Sequence, residues 1–402
     1  MTNIIVIKIG GSVLNDKSSL ERAARLIHDT VAKGLRVVVV VSAFKGMTDL
    51  LLQQSRVFDP GLPDHAVDEV LALGEKMSAR IFAHQLRSLG VEPVVLDPDS
   101  PRWPIVTDST HLDASPILAE TRRRVRRSLG PLIAEGKVPV VCGFLGKDAM
   151  GKTTTLGRGG SDTTAVLLGH CLRAQEVVLV KDVDTVLSGD PDIVEGTVPL
   201  EALNVAEAYA LSSGGAKFLQ PKALRYLDKG VRVRITSLED TFLSGTVIEG
   251  GDLELGLEVL DELASLVTIL TRGPPTPQHV ADLLAEVRNS GNRIISLTLD
   301  ESSVLLYTSG GKDLLRRVHQ LAVGGGWAKA VTSNEDLTML TLRGQAMEKS
   351  PGMIQRVTQP LARRGINVFG LVTITSSISI FVLRVDQQKA SALIREALML
   401  RE

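Results

Sequence analysis

The stretch GKDAMGKTTTLGRGGSD, residues 146–162, decides the fold, because two phosphate-holding patterns overlap in it and imply different architectures. Its first half, Gly146 to Thr153, fits G-x-x-x-x-G-K-[ST], the P-loop pattern. Its second half, Gly157 to Asp162, is a separate glycine-rich loop. A P-loop requires a helix to start at its Lys-Thr pair, since the helix N-terminus carries the phosphate. Here Thr153, Thr154 and Thr155 are β-branched and start helices poorly, and Gly157, Gly159 and Gly160 then interrupt the chain. The helix is expected only after Ser161-Asp162, a good N-cap pair. Residues 144–158 therefore read as a β-hairpin with KDAMGK at its tip. EVVLVKD (176–182) imitates the acidic strand of a P-loop protein, but apolar strands ending in Asp are common.

The second loop is the better anion site. Gly159 and Gly160 stand at the mouth of a helix N-terminus, where bare backbone N–H groups approach an anion closely. Arg158 offers a bidentate fork for a carboxylate or phosphate, and Asp162 sets a carboxylate beside it. The plain alternative is a tight turn with an N-cap. The first strand carries a matching device: in VIKIGGSV, Lys8 ends an apolar run and Gly10-Gly11-Ser12 follow. Burying an unpaired ammonium is costly, so Lys8 needs an anionic partner, and phosphate from a nucleotide is its natural one. Two glycine loops at the C-terminal ends of strands mark the ligand edge of an open α/β sheet.

The rest of the chain fits such a sheet. Strands and helices alternate to about residue 235: strand 3–9, helix 18–33, strand 35–42, helices near 46–55, 64–89 and 115–135, strand 138–145, helix 161–173, strand 176–180, a helix over AKFLQPKALRYLDKG and strand 231–235. VVVVV at 37–41 suits a strand buried on both faces. Residues 236–260 lose this rhythm. Beyond them come strands at 265–270, 293–299 and 303–308 with two helices, then GGG (324–326), then LTMLTLRG, INVFGLVTI and SISIFVLRV with two more helices. Two βαββαβ units describe this economically. The expected domains are 1–240, a linker 241–261, and small modules at 262–326 and 327–402.

With 402 residues, one large domain plus smaller ones is the prior. A net charge of −1 and 3% aromatics argue against a nucleic-acid surface. The two cysteines, Cys142 and Cys171, make neither a disulfide framework nor a zinc spacing, and seven histidines are scattered. A reduced cytoplasmic setting is expected. MTNIIVIKIGG reads as a strand rather than a signal peptide, and no run approaches the ~20 apolar residues of a membrane span. RRRVRR (122–127) lies on an expected helix and reads as a solvated face.

These motifs together resemble the amino acid kinase superfamily and, within it, aspartate kinases. KIGGS, TTLGRGGSD and KDVDTVLSGDP carry the likeness, with VVSAFKGMTDLL (40–51), LGEKMSARIF (73–82), VTDSTHLDA (106–114) and GGAKFLQPKAL (214–224). The tail resembles paired ACT modules, which bind amino acids as feedback signals. MEKSPGMIQRVTQPLARRGINV (347–368) is similar to the second of them. The resemblance implies phosphoryl transfer from ATP to the β-carboxylate of L-aspartate, with Mg²⁺ held mainly by ATP oxygens. It implies that Lys8 neutralises the transferring phosphoryl, that Gly10, Gly11 and Ser12 cradle it, and that Asp162 orients Lys8 or the reacting groups. Arg158 would hold the α-carboxylate of aspartate and Glu75 its ammonium, with Ser42, Thr48 and Ser161 in the same pocket. Lys181, Asp182, Asp190 and Lys217 would surround the nucleotide.

The family likeness also implies an effector such as lysine or threonine near Met347, Ser350, Pro351, Gly352, Asn367 and Val368, and a homodimer or larger assembly through the ACT modules. The sequence departs from the family at Lys181, where a threonine is usual, at Leu187 and Asp192, where tyrosine and arginine are usual, and at Gln220 in place of histidine. GPPTPQHVADLL likewise replaces the first module's usual turn. A kinase for another acid, such as glutamate or acetylglutamate, and an amino-acid sensor of weak activity are the alternatives.

Overall fold

A computed structural model of the chain describes residues 3–239, 244–251, 255–260, 263–344, 347, 351–374 and 377–400. Two compact units divide it, Met1–Leu253 and Glu254–Glu402.

The first unit is built on an apolar parallel sheet. Its elements are β1 (Ile4–Ile9), α1 (Lys17–Ala32), β2 (Arg36–Val41), α2 (Met47–Phe58), α3 (Asp64–Ser88), β3 (Pro93–Leu96), α4 (Leu118–Ala134), β4 (Val138–Cys142), β5 (Leu145–Lys147), β6 (Thr153–Thr155), α5 (Gly160–Leu172), β7 (Glu176–Val180), β8 (Val186–Leu187), β9 (Pro199–Leu200), β10 (Ala202–Asn204), α6 (Val205–Ser213), α7 (Pro221–Leu224), β11 (Arg232–Thr236) and β12 (Thr246–Glu249). The sheet order is β10-β12-β11-β7-β1-β2-β4-β3. β1 is central and parallel to β2 and β7, with Lys8 opposite Val40 and Leu179. Strands this rich in Val and Ile bury both faces, so helices must cover both. α5 has every residue from Gly160 to Cys171 buried, which makes it the most enclosed helix of the unit.

β5 and β6 pair antiparallel, Lys147 opposite Thr153, so the P-loop look-alike is a hairpin as its β-branched threonines predict. Two expectations fail. Ser161 and Asp162 do not cap α5: the helix starts at Gly160 behind Gly159, whose positive φ turns the chain into it, and both residues lie in the first turn. AKFLQPKALRYLDKG is not one helix: only Pro221–Leu224 is helical, and the main helix of this region lies earlier, at Val205–Ser213. Pro221 is the reason. It disfavours a helical residue before it, and Gln220 is extended at φ −80°, ψ 136°.

The second unit contains β13 (Gly256–Val259), β14 (Ala264–Thr271), α8 (Pro277–Asn289), β15 (Ile294–Leu299), β16 (Ser303–Thr308), α9 (Lys312–His319), β17 (Ala328–Arg343), α10 (Met353–Arg363), β18 (Gly370–Ile374), β19 (Ser377–Leu383) and α11 (Gln387–Leu398). Its halves share one strand. The first part of β17 pairs with β14, and Leu337–Arg343 pairs with β19. β13 pairs antiparallel with Leu340–Arg343, so the last strand of the second half comes from residues that precede the first half. Leu257 on β13 is accordingly buried with Leu340, Met353, Ile380 and Ile394. The two α+β halves are interleaved rather than strung in sequence.

Candidate active site

The C-terminal edge of the first sheet gathers the charged groups. Lys8, near the end of β1, is 7% exposed in an otherwise apolar strand. Its Nζ lies 2.8 Å from Asp162 Oδ1, and Lys181 Nζ lies 2.8 Å from Asp162 Oδ2. The pairing follows from the fold: β7, which delivers Lys181, is hydrogen-bonded to β1, and α5 presents Asp162 from its first turn. Burial alone would raise the Asp162 carboxyl, but the flanking Lys181 and Lys8 ammoniums outweigh it and hold the group ionised far below the usual carboxylate range. Burial lowers the Lys8 ammonium, and Asp162 opposes that shift. Two ammoniums share the Asp162 carboxylate, and Asp182, exposed beside Ser12, also attracts Lys8.

Backbone donors surround it. Gly10 N–H donates to Val180 O at 3.1 Å, and a Cβ at Gly10 would stand 2.9 Å from that oxygen. A Cβ at Gly11 would stand 2.5 Å from Ala43 O. Only glycine lets these two loops approach so closely. Gly159, at φ 68°, opens α5 with no side-chain cap, so the first N–H groups of a long buried helix face the same edge.

A cavity of about 560 Å³ lies here. It brings together Lys8, Gly11, Ser12, Ser42, Thr48, Glu75, Arg158, Ser161 and Asp162 from segments far apart in sequence. Phe44, Lys45 and Leu112 line it as well and were not singled out from the sequence. Glu75, on α3, is 2% exposed; its Oε1 accepts a 3.3 Å bond from Ala43 N–H, and its Oε2 has no partner among the described residues. Burial pushes the Glu75 carboxyl up to about 8, against the backbone N–H groups of Ala43 and of Glu75 itself. Arg158 is exposed at the cavity and, among the described residues, has neither a salt bridge nor a side-chain hydrogen bond. A buried carboxyl with an idle oxygen and an uncommitted guanidinium suit a ligand carrying one positive and one negative group.

Of the other sequence candidates, Asp182 adjoins this cavity through Ser12, and Asp190 and Lys217 are not among its lining. Asp182 is exposed and accepts from Ser12 Oγ at 3.2 Å. Asp190 is exposed and accepts from Asp192 N–H at 3.0 Å, and Lys217 is exposed between α6 and α7. In the second unit Met347 is 6% exposed, and Gly352 opens α10 at φ 80°. Pro351 is exposed, Asn367 follows Ile366 after α10, and Val368 packs beside the second-half core. Ser350 lies outside the described residues. Among the described residues no group of three or more His, Cys, Asp or Glu is placed to hold a metal ion. RRRVRR is mostly solvated, with Arg123 and Arg124 on Glu120 and Arg122 turned to His170.

The sequence did not reveal the second grip on Asp162. Lys181 was expected at the nucleotide and noted as a departure from a motif, but its hold on Asp162 depends on β7 lying beside β1. Nor did it reveal Asp68, which is 0% exposed and accepts from His111 Nδ1, Leu112 N–H and Thr155 Oγ1.

Two glycine loops, a lysine–aspartate–lysine cluster and an adjoining ligand cavity, all at the C-terminal edge of a parallel sheet, form the site of a phosphotransferase. The sequence model described as Amino acid kinase family matches residues 3–237, and the chain belongs to that family. It is 29% identical to an aspartokinase of Mycolicibacterium smegmatis over 98% of this chain and 96% of that one. An aspartokinase of Corynebacterium glutamicum is also 29% identical, over 99% and 96%. Among solved structures, the aspartate kinase from Synechocystis superposes with a TM-score of 0.76 at 23% identity, covering 99% of this chain and 70% of that one. E. coli aspartokinase III in complex with aspartate and ADP superposes with a TM-score of 0.55 at 24% identity, covering 98% and 100%.

Proposed function

We propose that this chain is an aspartate kinase, transferring the terminal phosphoryl of ATP to the β-carboxylate of L-aspartate to give 4-phospho-L-aspartate. The observation that carries the reading is the meeting, in one cavity, of the buried Lys8–Asp162 pair with Glu75 and Arg158. Asp162 is spanned by two lysines, and their ammoniums oppose the negative charge that spreads over the phosphoryl oxygens during transfer. The N–H groups of Gly11 and Ser12 and the start of α5 bind the same oxygens, while Gly10 N–H, expected among the phosphate donors, is taken by Val180 O and fixes the loop instead. Arg158 takes the substrate α-carboxylate. Ionised Glu75 takes its ammonium, with Ser42, Thr48 and Ser161 closing the pocket. The attacking carboxylate is already ionised at neutral pH, so positioning and charge balance carry the step without a strong base. Asp182, Asp190 and Lys217 attend the nucleotide. Mg²⁺ arrives with ATP, since the described residues offer no ready cage of their own.

We further read the second unit as paired ACT modules that bind lysine or threonine around Met347, Ser350, Pro351, Gly352, Asn367 and Val368, and assemble the chain into a homodimer or larger. No helix of the described residues is long and apolar enough to cross a membrane. Cys142 and Cys171 are free and buried, which suits a reducing cytoplasm.

The test is acyl-phosphate formation trapped as the hydroxamate, with MgATP and aspartate, glutamate or acetylglutamate. Turnover with aspartate, reduced at least ~100-fold by Arg158→Ala, is expected. Turnover with another acid only would keep the family and overturn the substrate. Silence with every acid would leave an amino-acid sensor.

A further inference from the structure

Asp68 sits on α3 seven residues before Glu75, two turns along the same helix face. Its carboxylate is wholly buried and holds three donors from two other segments. His111 Nδ1 stands at 2.7 Å and Leu112 N–H at 3.2 Å, both from the loop between β3 and α4. Thr155 Oγ1 donates at 2.6 Å from the end of β6. Leu112 is one of four described non-glycine residues at positive φ, 66°, a backbone state that needs such support. Leu112 and Thr155 both line the cavity, and Thr155 comes three residues before Arg158.

The stitching continues on the far side of the loop. Ala114 N–H donates to Thr155 O at 2.8 Å. Lys222 Nζ donates to Asp113 Oδ1 at 2.7 Å, to Ala114 O at 2.9 Å and to Leu156 O at 2.8 Å. One carboxylate therefore ties the helix that carries Glu75 to the strand end that carries Arg158, and fixes the cavity wall between them.

We propose that Asp68, acting with His111, is a positioning residue that sets the gauge of the acid-binding pocket, holding Arg158 at a fixed reach from Glu75 and so selecting the length of the acid presented to Lys8. This rests on the reading of Glu75 and Arg158 as the grip on an amino acid. Asp68 does not touch the substrate itself. Loosening the stitch lets the Arg158 segment drift while leaving the Gly10–Ser12 loop and Lys8 where they are.

The experiment compares wild type, Asp68→Asn, His111→Leu and His111→Asn in the hydroxamate assay with aspartate and with glutamate, one methylene longer. It is paired with hydrogen exchange of residues 108–115 and 153–158. Asp68→Asn and His111→Leu are expected to raise KM for aspartate at least tenfold and to narrow the preference for aspartate over glutamate at least fivefold, with KM for ATP within twofold of wild type. His111→Asn, which keeps a donor near the Nδ1 position, is expected to recover most of the loss. Both segments should exchange faster in the two damaging variants. A fall in thermal midpoint without a change in KM or in acid preference would mark a structural carboxylate and overturn the proposal. If wild type prefers another acid, the substrate reading fails and the same KM comparison is made on that acid. If wild type turns over no acid, aspartate and glutamate affinities by calorimetry replace KM: an aspartate affinity at least tenfold weaker in Asp68→Asn with a narrowed preference upholds the proposal, and unchanged affinities or no binding by wild type overturn it.

Discussion

Glu75 is held neutral by its surroundings in the empty protein, yet the proposed chemistry needs it charged. With its carboxyl pushed up to about 8 by burial, a substrate ammonium must ionise it on binding. KM for aspartate is therefore expected to fall roughly tenfold per pH unit from 6 to 8 and to level off above 8, in steady-state kinetics at saturating ATP. The stability sign runs the other way. The folded value lies above the unfolded 4.5, so folding favours the protonated group. The contribution is fully present below pH 4.5 and is lost as pH rises through 8. At pH 7 the ionised unfolded chain is favoured by roughly 3 kcal/mol through this one group. Glu75→Gln is expected to raise the melting temperature of the first unit by several degrees at pH 8 while abolishing aspartate turnover. Unchanged melting would mean that Glu75 ionises freely in the folded state. Lys181 makes the complementary case. Lys181→Thr removes a charge and leaves Lys8 and Asp162 neutral as a pair, so kcat is expected to fall about 100-fold, with Lys181→Arg retaining part of it. Lys8 could be read from sequence because a lone lysine in an apolar strand demands an anion, and Asp162 because it follows a glycine loop; only the family resemblance linked the two. The Lys181 contact could not, because nothing in KD at a strand end says which strand lies beside it.

Among the elements, the hairpin β5–β6 decides between two phosphate readings that the sequence sets side by side. Lys152 is the P-loop lysine of the pattern, and in the fold it precedes β6 on a hairpin turn rather than a helix start. Lys152→Ala is expected to leave KM for ATP and kcat within twofold, whereas Gly11→Ala is expected to abolish turnover, since its Cβ would meet Ala43 O at 2.5 Å. A large loss with Lys152→Ala would restore the P-loop. Local chemistry made this hairpin legible: three β-branched threonines and then three glycines oppose a helix wherever they occur. It did not serve 216–230, where an apolar period continues through Pro221 and only the ring's effect on Gln220 breaks the helix. Nor could β13 be read, since four residues with one buried leucine carry no period, and their partner strand lies about eighty positions away.

For the whole molecule, the interleaving of the second unit dictates where the chain can be cut. The core of the first unit ends at Ile248, and β13 begins at Gly256. β13 supplies Leu257 to the core of the second half, so it belongs to the second unit. The natural excision is residues 1–253. A cut at residue 261, where the loss of sheet rhythm suggests one, keeps β13 and discards β17, leaving an unpaired strand with exposed backbone groups and an apolar side chain in water. The 1–253 protein is expected to unfold cooperatively and stay dispersed, and the 1–261 protein to aggregate more readily, compared by light scattering on heating. If the second unit carries the effector site, wild type should lose aspartate turnover in lysine or threonine, and 1–253 should turn over aspartate indifferently to both. An effector acts by binding one state of the enzyme better than another, so removing its binding surface removes the bias and leaves the catalytic cavity intact. A 1–253 protein still inhibited by lysine or threonine would place the effector in the first unit, where the Glu75 and Arg158 grip could accept it as a competitor. Aspartate dependence of the inhibition then separates the two cases: inhibition that high aspartate relieves belongs to the grip, and inhibition that persists at saturating aspartate and vanishes with truncation belongs to the second unit.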